Sequence, residues 1–274
     1  MGSHATVTGA WCRAALEVHD GDARRARIVR IFAYDPALIV GLDDAARAEA
    51  SRRLVACAVD FPEGEHHPGQ ITGPADLGLL VLDGLVAREV ELSGGRQGWM
   101  ELFSPGDIVK PGTSEEDDTL AHSCSWHFLA PTAMAILDSR FRVAVARWPQ
   151  IASAVMERLA AQSRRAAFLL AVSQLRCVDA RVLITLWTLA DRVGRVTPHG
   201  VLVPIRLTHD VVAKAVGARR PTVSTAVGHL ERRGLLSRTD GGGWLLLGPR
   251  PCNVEDAIAR AAADPPRPAH VPLV

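Results

Sequence analysis

Between Leu207 and Arg250 the chain gathers seven basic side chains (Lys214, Arg219, Arg220, Arg232, Arg233, Arg238, Arg250) against three acidic ones (Asp210, Glu231, Asp240). A guanidinium presents five donors in a planar fork. It can grip a phosphate, or take both acceptors on the major-groove edge of guanine. Arg219 and Arg220 adjoin just behind Gly217, and Arg232 and Arg233 follow about three helical turns later. The implied chemistry is recognition of a polyanion by a short helix, although the whole chain carries a net charge of only +1.

Such a helix needs a scaffold, and the spacing supplies one. Counting twenty positions from His209, Ala213 stands fifth, where two helices must approach closely, and Gly217 stands ninth, where a turn needs positive φ. Val212, Val216, Ala218, Val223 and Ala226 fill the apolar places. Thr208 suits the cap of the first helix, and Pro221 suits the first turn of the second. The pattern predicts a helix-turn-helix; an ordinary αα-hairpin is the plainer alternative. On the second helix Val223, Ala226, Val227 and Leu230 share the core side. Pro221, Thr225, Gly228 and Arg232 lie opposite, flanked by Ser224 and His229. "GLLSRTDGGGWLLLG" then reads as two short strands around a Gly-rich tip, a wing that aims Arg238 at phosphate. The candidate DNA contacts are Thr208, Arg219, Arg220, Pro221, Thr222, Ser224, Thr225, His229, Arg232 and Arg238.

Upstream elements must carry this module. Ala46, Ala50, Leu54 and Cys57 recur at helical spacing and predict a helix over Asp43 to Asp60. Short apolar runs punctuated by Gly and Pro follow, with partial alternation at Val86, Arg88 and Val90 and a hairpin loop at "SGGRQ". They predict a compact β-barrel or jelly roll over about 60–138. A helix begins at Pro149. On it Val155, Leu159, Gln162, Ala166 and Leu169 recur at spacings of four and three. That seam fits either a two-chain coiled coil or a helix packed on its own domain. A further helix is expected to start at Asp179 as N-cap, with Val182, Leu186, Leu189 and Val193 buried. The fold class is therefore α+β: an N-terminal antiparallel jelly-roll barrel, a long dimerisation helix and a C-terminal winged helix-turn-helix. The expected divisions are a leading segment 1–28, a barrel domain with flanking helices 29–145, the dimerisation helix 146–176, the winged helix-turn-helix 177–250, and a short helix with a Pro-rich tail 251–274.

Other chemistry is thinly supported. Five scattered cysteines without a CxxC pair read as free thiols in a reducing cytosol. In "HSCSWH", His122 and Cys124 share one strand face and His127 takes the other, too few ligands for a metal site. His66 and His67 are adjacent and point apart. No nucleophile triad or phosphate loop occurs, so no enzymatic activity is expected. No signal peptide and no apolar run of about 18 residues is present, so a cytoplasmic location is expected, with no membrane partner.

With barrel, seam helix and winged motif in this order, the chain resembles the Crp/Fnr family of bacterial transcription regulators. The resemblance rests on "RVLITLWTLADRVG", "IRLTHDVVAKAVGARRPTVSTAVGHLERRGLL" and, at the level of fold, "GLLVLDGLVAREVELSGGRQGWMELFSPGDIV", and covers about residues 60–248. It implies a homodimer on a two-fold-symmetric double-stranded DNA site, with RNA polymerase as a further candidate partner and a cyclic-nucleotide-binding-like barrel sensing a small molecule. It places Arg220 and Thr225 where the family reads bases, and Pro221 where some members carry an acidic reader. It places Lys110, Gln162 and Ser163 at the effector pocket. Lys110-Pro111 stand where cyclic-nucleotide binders carry Gly-Glu; no arginine follows, and Glu115–Asp118 crowd the loop. Cyclic AMP is therefore not expected, and the cofactor is unknown. Cys12 alone cannot anchor the iron–sulfur cluster of the Fnr branch. Three functions remain open: a regulator gated by another effector, a ligand-independent dimeric DNA binder, and a metal-dependent barrel enzyme fused to a DNA-binding domain.

Overall fold

The computed structural model describes residues 26–92, 98–111 and 122–263. The "SGGRQ" loop, the Glu115–Asp118 run and the Pro-rich tail lie outside them. The chain divides into two units, which part after Ala166.

The first unit opens with strand β1 (Ala26–Arg30) and a one-turn helix α1 (Ile31–Tyr34). Helix α2 (Asp44–Arg53) follows, capped by Asp43, whose carboxylate accepts from the Ala46 amide at 2.8 Å. Then come β2 (Val55–Phe61), β3 (Gly64–Glu65), β4 (Gly78–Asp83), β5 (Val86–Leu92), β6 (Trp99–Phe103), β7 (Ile108–Val109), β8 (His122–Phe128) and β9 (Thr132–Leu137). Helices α3 (Ser139–Ala146) and α4 (Pro149–Ser173) close the unit and lead on.

The strands form two sheets, ordered β1-β2-β9-β4-β7 and β3-β8-β5-β6, with antiparallel pairing. Val59, Val81, Met134 and Ile136 of the first sheet meet Val86, Phe103, Trp126 and Phe128 of the second in one apolar core. The other face of the first sheet is also covered: Ala58, Leu80 and Ala135 pack under Ile31, Phe32, Leu38, Phe141 and Trp148. Burial on both faces explains why all six residues of β9, TAMAIL, are buried. Each large apolar side chain so enclosed contributes about 1.5–3 kcal/mol.

The helix expected over Asp43 to Asp60 is shorter than its periodicity suggested. It stops at Arg53, and Leu54 caps it before β2 begins at Val55. The segment VACAVDF pairs with both β1 and β9, and Cys57, Ala58 and Val59 are all buried. Ladder hydrogen bonds and two-sided burial outweigh a weak helical pattern. The first strand also starts inside the expected leading segment, at Ala26. Cys124, Cys177 and Cys252 are free, but Cys57 is disulfide-bonded, which corrects the expectation of five free thiols.

The second unit is built on α5 (Val178–Val193), whose residues are buried on nearly every side. A hairpin of β10 (Arg195–Thr197) and β11 (Gly200–Val203) follows, then α6 (His209–Val216) and α7 (Arg220–Arg232). Strands β12 (Leu236–Arg238) and β13 (Trp244–Leu246) and helix α8 (Val254–Ala262) complete it. The sheet order is β10-β11-β13-β12, so the wing is joined by a second hairpin that the sequence pattern did not reveal. The N-cap of α5 is Cys177. Asp179, expected to cap, sits inside the first turn, and its carboxylate bonds instead to His229 of α7 and to Arg233 just after that helix.

Candidate DNA-binding surface

Local signals set the turn between α6 and α7. Thr208 Oγ1 accepts from the Val211 amide at 3.2 Å and caps α6. Gly217 ends it at φ 64°, ψ 44°, a left-handed conformation that a side chain resists; a Cβ there would also lie 3.4 Å from Cβ of Ser173. Pro221 falls in the first turn of α7, where its missing N–H costs nothing. Ala213 is buried between the helices.

Helix α7 buries Val223, Ala226, Val227 and Leu230 and exposes Arg220, Pro221, Thr222, Ser224, Thr225 and Arg232, with Arg219 at its tip. The hydroxyls fold back onto their own helix: Ser224 Oγ donates to Arg220 O at 3.1 Å, and Thr225 Oγ1 to Pro221 O at 3.2 Å. Ser224 also lies 2.8 Å from His209 Nδ1. Arg232 Nε donates to Gly228 O at 3.1 Å. A Cβ on Gly228 would meet nothing within 4 Å, so the middle of this face is open. The exposed face therefore offers three cations and small polar groups, with no acidic residue before Glu231.

Two candidates are engaged elsewhere. His229 Nδ1 lies 3.0 Å from Oδ2 of Asp179, and the same oxygen accepts from Arg233 at 2.9 Å. These side chains tie α7 to α5. Arg238 donates to Gly242 O at 3.0 Å and to Leu207 O at 3.1 Å, and its guanidinium stacks on Trp244. Burial lowers its pKa below the usual arginine value; Glu231 opposes that shift and Arg206 adds to it. Arg238, although exposed, thus also braces the wing. Arg206, exposed beside the tip, has its Cγ 3.2 Å from where a Cβ on Gly242 would stand. It is the wing cation that the sequence reading passed over, one residue before the stretch it counted. His209 is pushed below its ordinary pKa by burial first, then by Arg238 and Arg220, with Glu231 opposing.

In the first unit the pocket candidates separate. Lys110 and Ser163 are exposed. Gln162 is not available: its Oε1 accepts from Ile108 N and its Nε2 donates to Ile108 O, both at 3.2 Å. Arg158 donates to Gly106 O at 3.1 Å and pairs with Asp35, and Arg165 pairs with buried Asp107 at 2.8 Å. These bonds fasten α4 to strand β7 and the turn before it. Sequence reading missed a second polar group in the barrel. Arg88 donates to Glu101 at 2.6 Å, and its guanidinium lies 5.6 Å from the Phe103 ring and 5.9 Å from the Trp126 ring. Its Nε is buried without a hydrogen-bond partner.

The seam residues also divide. Val155 packs on the core of the first unit, Gln162 holds Ile108, and Ala166 and Leu169 are half-buried. Among the exposed positions of α4, Met156, Leu159, Ser163, Ala167 and Leu170 form one stripe. Met156 is 68% exposed, Leu159 40% and Leu170 54%. They recur at spacings of three and four, on a face turned about 80° from the expected seam.

Comparison with known proteins bears on this geometry. Residues 180–249 match the family model described as the Crp-like helix-turn-helix domain. The chain carries a Crp-like helix-turn-helix domain. A relative from Mycobacterium tuberculosis, the "CRP-like cAMP-activated global transcriptional regulator", is 27% identical over 200 residues, covering 71% of this chain and 85% of the relative. The solved structure of FixK2 from Bradyrhizobium japonicum matches with a TM-score of 0.57 at 19% identity, covering 77% of this chain and all of that one. TTHB099, a CRP-family transcriptional regulator from Thermus thermophilus, matches at 0.52 and 21%, covering 76% and 98%. The Crp/Fnr resemblance and the α+β architecture read from the sequence both stand: the chain carries a Crp-like helix-turn-helix domain and is similar to Crp-like transcription regulators. Among the described residues no group of three or more His, Cys, Asp or Glu could hold a metal ion, and no helix is long and apolar enough to cross a membrane.

Proposed function

We propose that this Crp-like regulator binds a two-fold-symmetric DNA site as a homodimer and is gated by an effector other than cyclic AMP. The observation that carries the reading is the exposed face of α7, where Arg219, Arg220, Thr222, Thr225 and Arg232 surround an open Gly228 while the opposite face is buried. A helix entering the major groove by its N-terminus would bring Arg220 to base edges, and Arg206 would meet phosphate from the wing. The exposed stripe Met156, Leu159, Ser163, Ala167 and Leu170 supports pairing of two α4 helices. A dimer places its recognition helices about one helical turn apart, roughly 34–36 Å.

The effector reading departs from the Mycobacterium relative, which is described as activated by cyclic AMP. Lys110-Pro111 replace the expected Gly-Glu, no arginine follows in the loop, and four acids stand there instead. The carboxamide of Gln162 is bonded to Ile108, and the barrel carries the Arg88–Glu101 pair between aromatic rings. A phosphate would meet repulsion from the four acids, and the Arg88 guanidinium is already paired with Glu101. RNA polymerase fits as a partner of a regulator, with action in the cytoplasm and no enzymatic step.

Sequencing of genomic fragments bound by the purified protein tests the reading. It expects an enriched inverted repeat whose half-sites lie one turn apart, unchanged by added cyclic AMP. Enrichment of a single unpaired half-site, or enrichment only with cyclic AMP, overturns it.

A further inference from the structure

A cavity of about 390 Å³ opens in the second unit, on the side of α5 covered by α8 and the segment leading into it. Phe168, Ile184, Trp187, Pro251, Cys252 and Val254 form its walls. The Phe168 ring is 41% exposed, and the Trp187 indole forms a wall although the residue as a whole is only 7% exposed. An aromatic ring left this open in a concave, largely apolar site is a surface awaiting cover.

Most polar groups around the cavity are already bonded, and Glu255 adds an exposed carboxylate to its lining. Arg250 pairs with Asp191 at 2.7 Å. Thr188 Oγ1 donates to Ile184 O at 2.8 Å. Asn253 caps α8 by accepting from the Asp256 amide at 2.7 Å, and the Cys252 amide donates to Asp256 at 2.9 Å. An anionic ligand would lose its hydration here, find Arg250 already paired and face the carboxylate of Glu255. A flat apolar molecule would lie against the Phe168 ring and the part of Trp187 that lines the cavity. The volume lies at the small end of the usual range of about 300–1,000 Å³ for ligand cavities, which suits a two-ring molecule better than a peptide helix.

We propose that this cavity is a binding site for a small, uncharged aromatic molecule. Phe168 lies about 140° around α4 from Ser163, the middle of the exposed stripe. A dimer formed through that stripe leaves the cavity accessible. The site belongs to the unit that carries α7, and it stands whether or not the barrel takes an effector.

N-phenyl-1-naphthylamine, a neutral two-ring fluorophore, serves as the probe on the full chain. Two readouts are taken: fluorescence titration, and alkylation of Cys252 by N-ethylmaleimide followed by peptide mass spectrometry. Exposed Cys124, in the first unit, is the internal control. The expected result is micromolar binding and Cys252 alkylation slowed about fivefold or more, with Cys124 unchanged. Cys252→Phe and Val254→Phe, each placing a ring in the cavity, should each weaken the probe about tenfold or more. Circular dichroism and thermal midpoints check that both variants fold, and the alkylation readout on the native chain needs neither. Binding that leaves Cys252 alkylation unchanged places the probe elsewhere and overturns the proposal. So does a failure to bind up to the solubility limit, and so does tighter binding at Cys252 by the anionic analogue 1-anilinonaphthalene-8-sulfonate.

Discussion

The guanidinium carbon of Arg238 lies 4.0 Å from the centroid of the Trp244 ring. Trp244 is fully buried, and its Nε1 donates to the same Leu207 carbonyl that accepts from Arg238, at 3.2 Å and 3.1 Å. One carbonyl just ahead of α6 thus holds both strands of the wing. Arg238→Ala is expected to lower stability by about 1–2 kcal/mol, from the lost stacking and the unmet carbonyl of Gly242. Denaturant midpoints check it. An unchanged midpoint together with weaker DNA binding would mean that Arg238 reaches phosphate instead.

Arg220 has no such structural partner, and its replacement should separate the two roles. Arg220→Ala is expected to leave stability within about 0.5 kcal/mol, because it is an exposed side chain. It should cost about 1–3 kcal/mol on the preferred DNA sequence and relax choice at one base pair per half-site. Arg206→Ala should weaken all sequences alike and reduce the salt slope by about one. Titrations over several salt concentrations distinguish these outcomes; equal weakening of every sequence by Arg220→Ala assigns that arginine to phosphate.

His209 gives the second unit a pH dependence of known sign. Its pKa is lower in the folded chain than its ordinary 6.5, chiefly through burial. The unfolded chain therefore binds the proton first, and folded stability falls as pH drops below about 6.5. The loss is complete once pH passes the folded pKa. His209→Gln should flatten this part of the profile, measured by urea unfolding between about pH 5 and 8, ordinary values for such a titration. A variant profile as steep as that of the native chain assigns the slope to other groups.

The exposed face of α4 predicts its own variants. Leu159→Glu combined with Leu170→Glu should convert dimer to monomer in sedimentation, since a buried charge pair of like sign cannot be hydrated at an interface. Both side chains are open in the single chain, so its fold should persist. An unchanged dimer moves the interface off this face.

The helix-turn-helix was legible in the sequence because its determinants are local. Thr208 caps, Gly217 supplies positive φ, Pro221 starts α7, and apolar spacing chooses the buried side; each acts within a few residues of itself. The start of α4 at Pro149 was legible for the same reason. Tertiary structure decided the remainder. VACAVDF became strand β2 because β1 and β9 offered ladders on both sides. His229, expected to contact DNA, bonds to Asp179, 50 residues earlier, and Gln162, expected at an effector pocket, bonds to the backbone of Ile108, 54 residues earlier. Periodicity on α4 could not choose between two apolar faces about 80° apart, because that choice belongs to Asp35, Gly106, Asp107 and Ile108, which hold one side of the helix against the barrel. A sequence pattern records which side chains avoid water; which of them find a partner depends on distant residues that folding alone brings within hydrogen-bonding reach.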